Sequence, residues 1–289
     1  MKDDRRAEPR RGIPLRAVVP NAVTALALCS GLSAIRFAIE GSWWQAVSFI
    51  GVAAVLDGMD GRIARSLRAQ TKFGAELDSL SDVVAFGAAP AITVYLWALQ
   101  NWPWPRPGWL FALAYAVCMA LRLARFNARI DSEDQPHKSA GFLTGVPAPA
   151  GAAVILLPIL LWLASDGEWA WLKDYRLVAP WTAFAAFMVI SSVATFSLGS
   201  FRLRRNVRLE AIGLIALIGA ALFTVPWQTL AVLVLIYLLL IPVSMARYAR
   251  VKRQRALAAR EAEPIQPPLP LAGERPATRR RSRPNAPSQ

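Results

Sequence analysis

The chain reads Asp57-x-x-Asp60-Gly61-x-x-Ala64-Arg65, then eight residues, then Gly74-x-x-x-Asp78-x-x-x-Asp82. Four carboxylates lie there within otherwise apolar sequence. Asp57 and Asp60 are three apart and Asp78 and Asp82 four apart, so on α-helices each pair projects from one face. The polar link from Arg65 to Lys72 is short enough to fold the two segments into a helical hairpin, which sets the acidic faces opposite each other. Carboxylates gathered at one depth repel unless a cation lies between them. The pattern therefore predicts a site for one or two hard divalent ions, Mg²⁺ or Mn²⁺, held by oxygen ligands.

Around this stretch the apolar residues come in long blocks rather than at amphipathic spacing, and hydrophobic residues make up 55% of the 289. That patterning predicts an all-α integral membrane protein. Eight transmembrane helices of about 20 residues, each able to cross roughly 30 Å of hydrocarbon, are expected at 19–38, 43–61, 75–98, 109–127, 146–165, 178–197, 209–225 and 228–246. A barrel is excluded, because its strands would alternate every second residue.

The net charge of +14 suggests nucleic acid until its placement is examined. Segments 1–17, 62–72, 122–138, 202–208 and 247–289 hold 29 of the 33 Lys and Arg, all on one side of the expected topology. This asymmetry follows the positive-inside rule and puts both termini and the mouth of the acidic hairpin at the cytoplasmic face of the cell inner membrane. No folded basic domain is left to bind nucleic acid. Cys29 and Cys118 fall inside spans without metal-ligand spacing, so they read as small packing residues and no disulfide is expected. The first span itself is expected to direct insertion, since no short apolar run ends in a cleavage site.

Four regions follow: a basic segment 1–16 lying on the anionic leaflet, a membrane core 17–200, two further helices in 201–250, and a tail 251–289. The tail, rich in proline from Pro264 and ending in Arg279-Arg280-Arg281, is expected to be disordered. Pro20 suits the start of the first helix, and Asn21 and Thr24 are polar groups at the cytoplasmic end able to touch a bound headgroup. Capping is the simpler role for Asn21. Asp57 lies 13 residues past the interfacial Trp44, or about 20 Å along a helix. Ionisable groups at that depth mark function.

Gly61 and Ala64 leave the backbone open to a flat, bulky ligand, although helix contacts also favour small residues. Arg65 offers a planar fork to a phosphate. Arg122, Arg125 and Arg129 form a cationic stripe at the end of the fourth span, where the positive-inside rule would also place arginines. His137, alone in a polar loop, carries no assigned role. Pro147 and Pro149 fix the start of the fifth span. Spans seven and eight carry almost no intramembrane polar groups and read as scaffold.

A carboxylate-bound divalent site at the membrane boundary, beside a glycine-lined surface and an arginine, suits a substrate with one end in lipid and a pyrophosphate at headgroup level. Asp82, at the end of the motif, is the carboxylate least committed to metal and the candidate acceptor of a proton from an attacking hydroxyl. Residues alone lead to metal-dependent phosphoryl transfer on a lipid. The rival from another class is a divalent-cation transporter, whose site would lie nearer the midplane on broken helices.

The motif resembles the signature of the CDP-alcohol phosphatidyltransferase family at every position: Asp57, Asp60, Gly61, Ala64, Arg65, Gly74, Asp78 and Asp82. The resemblance, which covers about residues 15–200, implies a six-helix core with two helices added after it. It implies metal held by Asp57, Asp60, Asp78 and Asp82, with Asp82 as the proton acceptor. A CDP-linked lipid is implied near Gly61 and Arg65, reaching Asn21 and Thr71, and the protein is implied to be a homodimer. Arg122-x-x-Arg125-Phe126-Asn127, followed by Phe142-x-x-Gly145-Val146-Pro147-x-Pro149, is similar to the membrane-embedded bacterial subgroup that uses CDP-diacylglycerol and L-serine. That similarity implies serine at Arg122, Arg125 and Asn127, where an arginine can grip its carboxylate. Glycerol 3-phosphate, inositol phosphate or choline are the alternative acceptors.

Overall fold

The computed structural model describes residues 15–130, 142–144, 146–191, 194–196 and 208–262. They fall in two units, 1–248 and 249–289, and the features below belong to the first unless stated. The N-terminal residues 1–14, the loop with His137, Gly145, Arg202 to Arg205 and the tail beyond residue 262 lie outside the described residues.

Helices α1 (Leu15–Ile39) and α2 (Trp43–Ser66) form a hairpin. Gly41, at φ 74°, closes it: the Ser42 N–H donates to Phe37 O at 2.9 Å and the Gly41 N–H to Ala38 O at 3.1 Å, the paired bonds of a Schellman turn that a residue with no Cβ makes without strain. Small residues line the contact. Ala27, Ala34 and Ala38 of α1 and Ala46 and Ala53 of α2 are buried, and the Ser30 hydroxyl donates to Phe49 O at 2.8 Å, the combination that brings helices close in lipid. Pro20 is buried inside α1 rather than at its start, because the helix begins five residues earlier, at Leu15.

The third apolar stretch is one rod in three parts: α3 (Lys72–Asp82), a π-helical turn Val83–Ala88, and α4 (Ala89–Trp97). Pro90 has no N–H for the Phe86 carbonyl four residues back, and the Tyr115 hydroxyl of α5 (Pro105–Ile130) donates to it at 3.1 Å instead. The π turn is where α1 crosses. A Cβ on Gly31 would stand 2.8 Å from Ala85 Cα.

The expected fifth span is broken. Helices α6 (Ala148–Ile155) and α7 (Leu157–Ala164) meet at Leu156, since Pro158 withholds a donor from Val154 O. The Trp181 indole of α8 (Tyr175–Ile190) donates to that carbonyl at 2.8 Å. Helix α8 stops at Ile190 rather than running to 197. Residues Ala194–Phe196 form strand β2, antiparallel to β1 (Phe142–Thr144) with Leu143 opposite Thr195. This two-stranded ribbon is the exception to the all-helical expectation. Helices α9 (Arg208–Thr224) and α10 (Pro226–Ala262) complete the order. Helix α10 thus continues through residues 251–262, where disorder was expected.

Four stretches are long and apolar enough to cross a membrane: Val18–Ile39, Lys72–Trp97, Pro107–Ala128 and Pro226–Ala246. The eight expected are not all of that kind. Helix α2 is long enough but carries Asp57, Asp60, Arg62 and Arg65 in its C-terminal third, α6 and α7 are interrupted, and α8 and α9 have 16 and 17 residues, about 24–26 Å each.

All eleven tryptophans lie in the half of the bundle that carries the turns before α2, α5, α8 and α10. Contacts tie these turns together: Trp97 with Trp162 at 6.0 Å, Trp102 with Tyr175 at 4.8 Å, Lys173 Nζ over Trp43 at 5.8 Å, and Gln228 Nε2 donating to Ala164 O at 2.9 Å. The aspartates and arginines occupy the other end. One end of the bundle is an aromatic belt, the other a cationic rim.

Candidate active site

The acidic hairpin forms through its connection. After α2 the Ala69 N–H donates to Ala64 O at 2.9 Å and the Arg68 N–H to Arg65 O at 3.2 Å, with Arg68 itself at φ 50°. This is again a Schellman turn, with arginine where glycine is usual. Thr71 then caps α3, its Oγ1 accepting from the Gly74 N–H at 3.0 Å, so that one hydroxyl satisfies an otherwise orphan helix donor.

The turn brings the two acidic faces together. One carboxylate oxygen from each of Asp57, Asp60 and Asp78 lies within 4.8 Å of the others. Two oxygens bound to one Mg²⁺ at about 2.1 Å stand at most about 4.2 Å apart, so the three fit a hard divalent ion after a shift of a few tenths of an ångström. Asp82 lies outside this trio, with its carboxyl within hydrogen-bonding reach of Asp57 and its charge felt by Asp78 and Arg122.

Two residues of α1 support the hairpin. The Thr24 hydroxyl donates to Asp60 Oδ2 at 2.7 Å, and both groups are buried. The Ser81 hydroxyl approaches Thr24 O at 3.4 Å, holding α3 to the same turn of α1. Thr24 therefore faces a carboxylate, not a headgroup. Its signal in the sequence was a hydroxyl within an apolar span, one turn from Asn21. Asn21 lies over the first turn of α3: a Cβ on Gly74 would meet Asn21 Oδ1 at 2.8 Å and Thr71 Oγ1 at 3.1 Å. Asn21, Gly74 and Thr71 thus form one junction.

Gly61 is different. Around its missing Cβ the nearest atom is Arg65 Nη1 at 3.8 Å, which leaves the face of α2 beside Asp60 open, with an exposed arginine at its edge.

The three residues expected to bind the acceptor separate. Arg125 Nη2 donates to Ile190 O at 2.8 Å, closing the C-terminus of α8. Asn127 Nδ2 donates to Ser79 Oγ at 2.7 Å, fastening α5 to α3 beside Asp78. Arg122 is the one aimed among the site's charges, with Asp82, Tyr115, Tyr237 and Arg125 as neighbours, and its Nε is buried with no hydrogen-bond partner. Tyr237 comes from α10, which the sequence had suggested was scaffold.

Comparison with known proteins agrees with this geometry. Residues 17–195 match the family model described as CDP-alcohol phosphatidyltransferase, and residues 206–242 match a second, CDP-alcohol phosphatidyltransferase 2. The chain is 36% identical to the CDP-diacylglycerol–serine O-phosphatidyltransferase of Mycobacterium tuberculosis (strain ATCC 25618 / H37Rv), over 94% of this chain and 97% of that protein. The like-named proteins of Mycobacterium leprae (strain TN) and Helicobacter pylori (strain ATCC 700392 / 26695) are 37% and 30% identical. They align over 82% and 76% of this chain and 77% and 87% of their own lengths.

Proposed function

The chain belongs to the CDP-alcohol phosphatidyltransferase family, and from that premise we propose that it is a phosphatidylserine synthase, converting CDP-diacylglycerol and L-serine to phosphatidylserine and CMP. The observation that carries the proposal is the carboxylate trio Asp57, Asp60 and Asp78 beside the open face at Gly61, with relatives of that activity aligned along nearly the whole chain.

Asp57, Asp60 and Asp78 hold the divalent ion, Mg²⁺ or Mn²⁺, which when bound neutralises the pyrophosphate and the departing CMP. The cytidine diphosphate lies on Gly61 and Arg65 and reaches the junction of Asn21 and Thr71, while the acyl chains stay in the bilayer. Arg122 receives the serine carboxylate through its planar fork. Asp82, its neighbour, takes the proton of the serine hydroxyl as that oxygen forms its bond to the phosphorus bearing the diacylglycerol. The phosphorus–oxygen bond to CMP breaks in the same exchange. Arg125 and Asn127 reach the acceptor only through groups not already bonded to Ile190 and Ser79.

This reading includes the finer topology: eight spans, a catalytic core 17–200 followed by two helices in 201–250, the basic segment 1–16, a cytoplasmic tail, and the site at the cytoplasmic face of the inner membrane. The oligomer is a homodimer.

The test offers purified protein CDP-diacylglycerol with Mn²⁺ or Mg²⁺ and, in parallel, serine, glycerol 3-phosphate, inositol phosphate or choline. Release of CMP with serine alone, together with the matching lipid product, is the expected result. Turnover with another acceptor and none with serine would leave the family and remove the function.

A further inference from the structure

Helix α10 buries one face and exposes the other. Ala231, Val234, Ile241 and Ser244 are buried and Tyr237 packs on the core, at the three- and four-residue spacing of one helical stripe. Leu235, Ile236, Leu239 and Val243 are exposed. Tyr237 therefore turns inward. Its hydroxyl oxygen is shielded from solvent, and its ring stands in the electrostatic surroundings of Arg122 together with Asp82.

The other groups around Arg122 are engaged elsewhere. Tyr115 donates to Phe86 O, Arg125 to Ile190 O, and Asp82 adjoins Asp57. Arg122 Nε has no hydrogen-bond partner. A guanidinium with a donor unused, beside a neutral phenol, makes a receptor for one negative charge. A phosphate monoester, at about −1.5 to −2, would call for a second cation, and the nearest, Arg125, has an N–H committed to a helix end.

We propose that Tyr237 is a specificity-determining residue of the acceptor subsite: its hydroxyl and the Arg122 guanidinium together receive the acceptor's single carboxylate, so that α10 is a wall of the site. The inference rests on the assignment of Arg122 to the acceptor made above.

The test uses the full chain in detergent or liposomes, with CDP-diacylglycerol and the metal. Tyr237→Phe keeps the ring and removes the hydroxyl. The serine concentration for half-maximal rate should rise about 10-fold, the loss of one hydrogen bond to a charged group, with kcat and the half-saturating CDP-diacylglycerol concentration unchanged. The preference for serine over ethanolamine, which lacks the carboxylate, should shrink by the same factor. Tyr237→Leu should show the same serine effect, and the lipid-facing Leu239→Ala none. Wild-type serine dependence in Tyr237→Phe, or an equal rise for both substrates, would overturn the proposal. If the wild type uses another acceptor, the same split read on that acceptor decides the role of Tyr237, while the phosphatidylserine assignment alone fails.

Discussion

Thr24 Oγ1 stands 2.7 Å from Asp60 Oδ2, joining α1 to the metal-site carboxylate 36 residues further along the chain. A buried carboxylate keeps a fixed rotamer only if something holds it, and a charge-assisted hydrogen bond from a hydroxyl does so at small cost. The consequence is measurable. Thr24→Val keeps the shape and deletes the donor, so the metal concentration for half-maximal activity should rise about 10-fold or more, and Thr24→Ser should restore it. A metal titration of Thr24→Val that overlays wild type would show that Asp60 orients itself.

Asp78→Asn removes one charge from the trio. Activity should vanish even in excess Mg²⁺ or Mn²⁺, while the protein still elutes as a folded species in detergent. Full turnover of this variant at high metal would exclude Asp78 as a ligand.

Asp82 lies outside the trio and next to Arg122. Asp82→Asn should lower kcat by about 10²–10⁴-fold, the usual worth of a general base, and leave the affinity for CDP-diacylglycerol nearly unchanged. A parallel loss of lipid-nucleotide binding would make it a metal ligand instead.

Arg122 and Arg125, one turn apart, should behave differently. Arg122→Lys loses the fork, and the serine concentration for half-maximal rate should rise about 10-fold, or about 1.4 kcal/mol. Arg125→Met should instead lower thermal stability by about 1–3 kcal/mol, because Ile190 O loses a charged donor. Identical kinetic profiles for the two variants would contradict this division.

Gly74 has no room for a side chain. Gly74→Ala places a methyl 2.8 Å from Asn21 Oδ1 and should lower thermal stability by about 1–3 kcal/mol. Adding Asn21→Ala should return most of that stability, though not activity. If the double variant is no more stable than Gly74→Ala alone, the clash is elsewhere.

The spacing of Asp57, Asp60, Asp78 and Asp82, with a short polar link between the pairs, was enough to place two acidic faces on one hairpin, because helical periodicity fixes which residues share a face. Long apolar blocks and one-sided arginines gave a helical membrane protein for the same local reason. Even the misread segment 252–262 was legible: it is rich in Ala, Arg, Lys and Glu, all strong helix formers, and α10 runs through it to Ala262, two residues before Pro264. The pairings across helices were not. Thr24 with Asp60, Asn127 with Ser79, Arg125 with Ile190 O and Tyr237 with Arg122 depend on how far each helix is rotated and slid against its neighbours, which close contacts such as Gly31 on Ala85 set. Periodicity along a chain carries no information about that register, so the sequence determined the acidic faces, and only the packed bundle decided which side chains hold them and what stands beside them.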